Sequence, residues 1–225
     1  MDLAEAEQAA LDCRPKAPRA GVGLANVGQP RDSVTEWEER VATQFQALED
    51  FAKRRGRALR SSDMPPLFRG ATPGREITAY LHPFGSRVWK STFPGQSGFG
   101  PFGFYTPAGY LRRLRLSNRI FGDDVQFEGI WRRPEGLSIV TSQPYIQPHP
   151  VRFIPTDAEI SSYLSVLGFS FDESSSLWER GDGVQLGDVH NRNFIRAPDE
   201  NILAIDVQPR LRQGHEFECV IAAAR

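Results

Sequence analysis

Cysteine is nearly absent from this sequence: Cys13 and Cys219 stand alone, with no CxxC spacing. That excludes a disulfide framework and a cysteine-rich zinc site, and it fits a reducing compartment. An excess of charge is also missing, since 27 basic and 28 acidic residues leave a formal net charge of -1. Such a balance offers no global attraction for nucleic acid or an acidic membrane. No uninterrupted apolar run reaches bilayer-spanning length. The opening stretch MDLAEAEQAAL lacks the basic-then-apolar pattern of a secretion signal. The expectation is a soluble chain, either cytoplasmic or delivered by a specialised secretion system.

Phenylalanine, by contrast, is plentiful, with 15 residues in 225, most of them after residue 65. This asymmetry places the folded core at 65–225 and predicts a flexible N-terminal extension at 1–64, with one helix near 34–55. In that helix Trp37, Val41, Phe45, Leu48 and Phe51 fall near one face. Its basic end, Lys53 to Arg60, reads as a solvated terminus favoured by the helix dipole.

Beyond Pro65-Pro66, Ile77–Leu81 and Arg87–Trp89 read as two strands of a hairpin turning at His82-Pro83-Phe84-Gly85. Thr106 followed by Pro107 caps a helix running to Phe121. On that helix Arg112, Arg113, Arg115 and Arg119 read as a solvated face, with attraction of an acidic substrate as the alternative. Phe127–Trp131 and Leu137–Ser142 suggest a second antiparallel pair. Thr156 or Asp157 caps a helix through Leu167 that Gly168 ends. Asn193–Ile195 and Ile202–Ile205 form a small hairpin around Ala197-Pro198-Asp199-Glu200. The order is that of an α+β protein, without a doubly wound βαβ series.

The chemistry concentrates near the C-terminal end. Leu186-Gly-Asp-Val-His-Asn-Arg-Asn-Phe-Ile-Arg supplies Asp188, His190, Asn191 and Asn193, and Leu203-Ala-Ile-Asp206 follows. The intervening hairpin returns Asp206 close to Asn193. An amide oxygen and a carboxylate are hard ligands suited to Mg²⁺ bound together with phosphates. Asp188 stands nearby to accept a hydroxyl proton. Taken singly, such residues are also ordinary turn and strand caps.

This spacing resembles the protein-kinase-like superfamily, whose pattern is an Asp, an Asn five residues on and a second Asp after a hairpin. The resemblance implies a minimal two-lobed fold with an antiparallel N-lobe sheet and an abbreviated helical C-lobe. It implies ATP and Mg²⁺ as cofactors, with Asp188 as catalytic base and Asn193 and Asp206 as metal ligands. Gly187-Asp188 looks like the Gly-Asp form of small-molecule and atypical kinases. His190 follows that Asp by two residues and reads as a local hydrogen-bonding residue. Lys90 closes the strand Val88-Trp89-Lys90, as does the family's phosphate-binding lysine. Gly70 and Gly74 occupy the place of the nucleotide-covering loop. Leu137 to Ile146 looks like the strand leading to a hinge near 143–147, where groups around Gln143 and Tyr145 would meet adenine.

More narrowly, residues 65–210 resemble the kinase-like domains of polyvalent proteins from phages and conjugative elements. The features are Thr106-Pro-Ala-Gly-Tyr-Leu, Asn118-Arg-Ile-Phe-Gly-Asp, Glu128-Gly, Ser142-Gln-Pro-Tyr-Ile and Asp188 through Asn193. Minimal effector kinases of bacterial pathogens are a second point of resemblance. The sequence departs from the superfamily in two places. Val207-Gln208-Pro209 follows Asp206 in place of Phe-Gly, and the helix 106–121 carries no Glu to pair with Lys90. Glu128 is the preferred partner, then Glu76, with Asn118 as a different way of orienting the site. The implied activity is phosphorylation of a hydroxyl on a protein or small molecule. A nucleotide-binding pseudokinase or interaction module and an AMP transferase are the alternatives.

Overall fold

The computed structural model describes residues 2–12, 34–65, 77–81, 85–97, 99–100 and 103–212. Two helices, α1 (Leu3–Leu11) and α2 (Val34–Arg54), precede a short strand, β1 (Ala58–Leu59). The hairpin β2 (Ile77–Leu81) and β3 (Arg87–Thr92) follows, then the two-residue strands β4 (Phe99–Gly100) and β5 (Gly103–Phe104). Helix α3 (Pro107–Phe121) leads into β6 (Gln126–Arg133) and β7 (Gly136–Pro144). The second half holds α4 (Asp157–Val166), β8 (Phe169–Asp172), β9 (Leu177–Arg180) and β10 (Val184–Gly187). It ends with β11 (Phe194–Arg196), β12 (Ile202–Ala204) and β13 (Gln208–Leu211).

Local chemistry accounts for the helix that matters most. Thr106 accepts a hydrogen bond from Gly109 N, Pro107 opens α3, and Gly122 closes it in the left-handed region at φ 69°. A second N-terminal donor, Ala108 N, reaches the Gln44 side chain of α2 at 3.0 Å. Helix α2 therefore helps to cap α3 from outside, which fixes the angle between them.

Strand order in the first sheet is β1-β6-β7-β3-β2, antiparallel throughout except for the parallel pair β1–β6. Helices α1, α2 and α3 pack with this sheet around Leu3, Phe45, Leu48, Phe51, Leu111, Phe127 and Ile139. The boundary expected at residue 65 therefore does not divide the packing, because the apolar faces of α1 and α2 belong to the same core as the sheet. A second core gathers Leu116, Ile160, Leu164, Phe169, Val184, Leu186, Phe194 and Ala204. It rests on a four-stranded antiparallel sheet, β13-β10-β9-β8, together with the hairpin β11–β12 and helix α4. The half expected to be helical is thus rich in strands. Helix α3 serves both cores, giving Ala108, Tyr110 and Leu111 to the first and Leu116 to the second. No helix among the described residues is long and apolar enough to cross a membrane.

Candidate active site

Strand register fixes where each candidate side chain points. Lys90 lies opposite Ala79 on one side and Thr141 on the other, so its side chain leaves the first sheet from the same face as theirs. Its ammonium, largely buried, donates to the Ile205 carbonyl at 3.0 Å and stands 3.8 Å from Asp206 Oδ1. A lysine from the first core thus meets the acidic end of a hairpin from the second.

The hairpin does what its spacing predicts. Phe194 pairs with Ala204, and Ile205 N donates to the Asn193 carbonyl at 2.9 Å, which sets Asn193 abreast of Ile205 and next to Asp206. Asp188 arrives from another pairing: Gly187 faces Gln208 between β10 and β13, so Asp188 continues past that end towards Val207 and Asp206. Its backbone is left-handed, at φ 56°. The Asn193 amide donates to the Asp188 carbonyl at 2.8 Å and to its carboxylate at 2.9 Å. His190 Nε2 lies 3.4 Å from the other carboxylate oxygen.

With its NH₂ engaged by Asp188, Asn193 has its amide oxygen left to offer a cation. Asp206 adds a half-exposed carboxylate. Among the described residues no group of three His, Cys, Asp or Glu forms a metal cage by itself. The donor set here is two hard oxygens, which suits Mg²⁺ shared with phosphates better than an all-protein site.

Glu128 does not serve Lys90. Thr141 shares the Lys90 face, so the next residue, Ser142, points to the opposite one, and Glu128 accepts from Ser142 Oγ at 2.6 Å. Arg57 holds the other Glu128 oxygen at 3.3 Å. A bulge between Phe127 and Gly129 shifts the register at this point. Asn118 does not face Lys90 either. It donates to Val125 O at 2.8 Å and accepts from Val125 N at 2.7 Å, clamping the connection from α3 to β6.

That clamp presents an acid that spacing did not single out. Asp123 lies on the cleft wall with Lys90 and Asp206 and accepts a hydrogen bond from Ser117. Burial pushes its carboxyl up to about 6, against the Ser117 hydrogen bond and the Lys90 charge, while the Asp206 charge adds to the rise. Burial, with Asp123 behind it, also pushes the Tyr163 phenol up to about 12. Asp123 closes the Asn118–Asp123 motif, but its burial is a tertiary property without a signal in the sequence.

Gln143 lines the same cleft. Tyr145 has an exposed ring, and its N–H closes the sheet on Ser86 O at 2.7 Å, so that amide is not open to a base. Gly70, Gly74 and Glu76 lie outside the described residues. The arginines of α3 do not share one solvated face: Arg112 and Arg115 reach solvent but each meets the buried Glu7 carboxylate at 2.6 Å, and Arg113 is buried. The cleft itself is nearly shut, with about 20 Å³ of free space. A larger open groove of about 560 Å³ lies on the opposite side of α3, near Asp2, Arg115 and Gln126, away from all the convergent residues.

Two cores joined by a cleft, with a strand lysine on one wall and Ile205–Asp206 on the other, beside the hydrogen-bonded Asp188–Asn193 pair, define a protein of the kinase-like class. Residues 42–213 match the serine/threonine/tyrosine kinase found in polyvalent proteins, and the chain belongs to that family. The match begins within α2 and ends just past β13, leaving α1 outside it. No curated protein and no solved structure matches the chain.

Proposed function

We propose that this chain is an ATP- and Mg²⁺-dependent phosphotransferase acting on a hydroxyl of a protein or small-molecule acceptor. The observation that carries this reading is the meeting of Lys90 with the Ile205–Asp206 end of the hairpin, 3.0 Å from the carbonyl and 3.8 Å from the carboxylate. Mg²⁺, when bound, neutralises charge on the phosphate oxygens. Asp206 and the Asn193 amide oxygen would hold it, and Lys90 would exchange the Ile205 carbonyl for a phosphate oxygen. Asp188, fixed by Asn193, orients the attacking hydroxyl and takes its proton as the oxygen bonds to the γ-phosphorus and the bond to ADP breaks. Gln143 lines the nucleotide side of the cleft.

A second reading, a nucleotide-binding pseudokinase, draws support from the lysine itself. Among the described residues its closest acceptor is a carbonyl, and its nearest carboxylate is 3.8 Å away, beyond hydrogen-bonding distance.

The deciding experiment gives the purified chain ATP labelled separately at the α- and γ-phosphates and follows candidate acceptors by intact mass. Transfer of γ-label supports the kinase reading, α-label identifies an AMP transferase, and binding without transfer identifies a pseudokinase. Asp206→Ala should abolish Mg·ATP binding, and Asp188→Asn should spare binding while lowering turnover roughly 100- to 10,000-fold. Full turnover in both variants would remove the assignment.

A further inference from the structure

Arg113 is only 5% exposed, yet its charge is permanent. Its guanidinium carbon lies 5.1 Å from the ring centres of both Tyr105 and Tyr110, so two aromatic rings fix its position. Its Nε is buried without a hydrogen-bond partner, and no carboxylate pairs with the side chain among the described residues. The contrast within the same helix is direct: Arg112 and Arg115 both close on Glu7, whereas the arginine between them faces inward unpaired.

A buried guanidinium without a counter-ion is unfavourable, because ring faces replace only part of its hydration and leave an N–H unmet. Arg113 lines the cleft that also holds Lys90, Ser117, Asp123 and Asp206, and no ion pair joins it to either acid. It lies one helical turn from Ser117, and α3 itself contains no carboxylate. The missing partner is therefore an anion that enters the cleft.

We infer that Arg113 is a second cationic anchor for the polyphosphate chain of a nucleotide, acting across the cleft from Asp206 and beside Lys90. This inference rests on the reading of the cleft as a nucleotide site. The helix that lacks a glutamate for Lys90 supplies a positive charge instead. Tyr105 and Tyr110 pre-orient the guanidinium, so little side-chain freedom is lost when phosphate oxygens arrive.

Calorimetric titration of the full chain tests this with three probes: Mg·ATP, inorganic triphosphate with Mg²⁺, and adenosine. Arg113→Gln should weaken both polyphosphates roughly 10- to 100-fold, the range of a charged hydrogen bond, while adenosine binds as before. Wild-type affinity for Mg·ATP in a folded R113Q chain overturns the anchor, as does an equal loss for adenosine, which would mark a structural role. If R113Q does not fold, R113K decides. A several-fold loss for triphosphate with adenosine unchanged supports the anchor, and unchanged affinity for both overturns it. Failure of the wild-type chain to bind Mg·ATP or triphosphate removes the nucleotide reading itself and the anchor with it.

Discussion

Asn193 holds Asp188 by two hydrogen bonds from one amide, at 2.8 Å to the carbonyl and 2.9 Å to the carboxylate. The first fixes the backbone of a residue in the left-handed region, which costs a non-glycine residue about 1 kcal/mol or more. The second orients the carboxylate. One side chain therefore sets both the loop and the direction of the proposed base.

Asn193→Ala removes a buried donor together with both of its hydrogen bonds to Asp188, whose carboxylate is partly exposed. The expected loss is about 1–3 kcal/mol of stability, read as a lower urea midpoint at unchanged slope. An unaltered midpoint would show that water replaces the amide and that the loop geometry has another origin.

Asp123 gives a pH-dependent prediction with a definite sign. Its folded pKa is about 6 against a reference of 3.8, so the folded chain holds a proton that the unfolded chain has already lost. The resulting stabilisation is complete below the unfolded value and disappears as pH rises through the folded one. Asp123→Asn keeps an acceptor for Ser117 and removes the ionisation. The variant should be more stable than wild type above pH 7, by up to roughly 3 kcal/mol, and the difference should shrink to nothing below about pH 4. Thermal melts across this range read it directly, and a gap independent of pH would refute the assignment.

Gly129 sits at the bulge in β6 with φ 154°, and a Cβ there would lie 2.1 Å from the Arg57 carbonyl oxygen. That carbonyl already accepts from Ile130 N at 3.1 Å, joining β1 to the sheet. Gly129→Ala should therefore part β1 from β6 and cost roughly 2 kcal/mol or more. A melting temperature equal to wild type would mean that the backbone moves freely here.

Glu7 ties α1 to α3, its carboxylate 3% exposed and shared by Arg112 and Arg115. Both arginines reach solvent, so Glu7→Gln should cost about 1–3 kcal/mol, less than breaking a fully buried pair. The amides of α1 should exchange hydrogen faster in the variant, while those of β7 change little.

Much of this architecture was legible because its signals are local. Thr106-Pro107 announces α3, alternating residues mark the hairpins β2–β3 and β6–β7, and the turn after Ala197 returns Asp206 towards Asn193. The sheet of β8, β9, β10 and β13 escaped notice for identifiable reasons. Its strands are four residues each, and β13 contains Pro209, which argues against a strand anywhere except at an edge. Strand β13 is such an edge. Glu128 follows closely on the helix that lacks a glutamate, but a single bulge reverses the face a residue occupies, and spacing carries no mark of it. Arg113 sits on the helical arc of Tyr110 and Leu114, so a charged residue on an apolar stripe was the available clue. Composition alone made it one of four surface arginines.

Helix α3 has a consequence for how the molecule comes apart. Leu111 is anchored in one core and Leu116 in the other, little more than one turn further along. Melting either core would strip half the support from a helix of 15 residues, and fragments of that length are marginal in water. Neither lobe can therefore serve as a stable template while the other is undone. The cleft, lying between them, exists only in molecules in which both halves are folded at once.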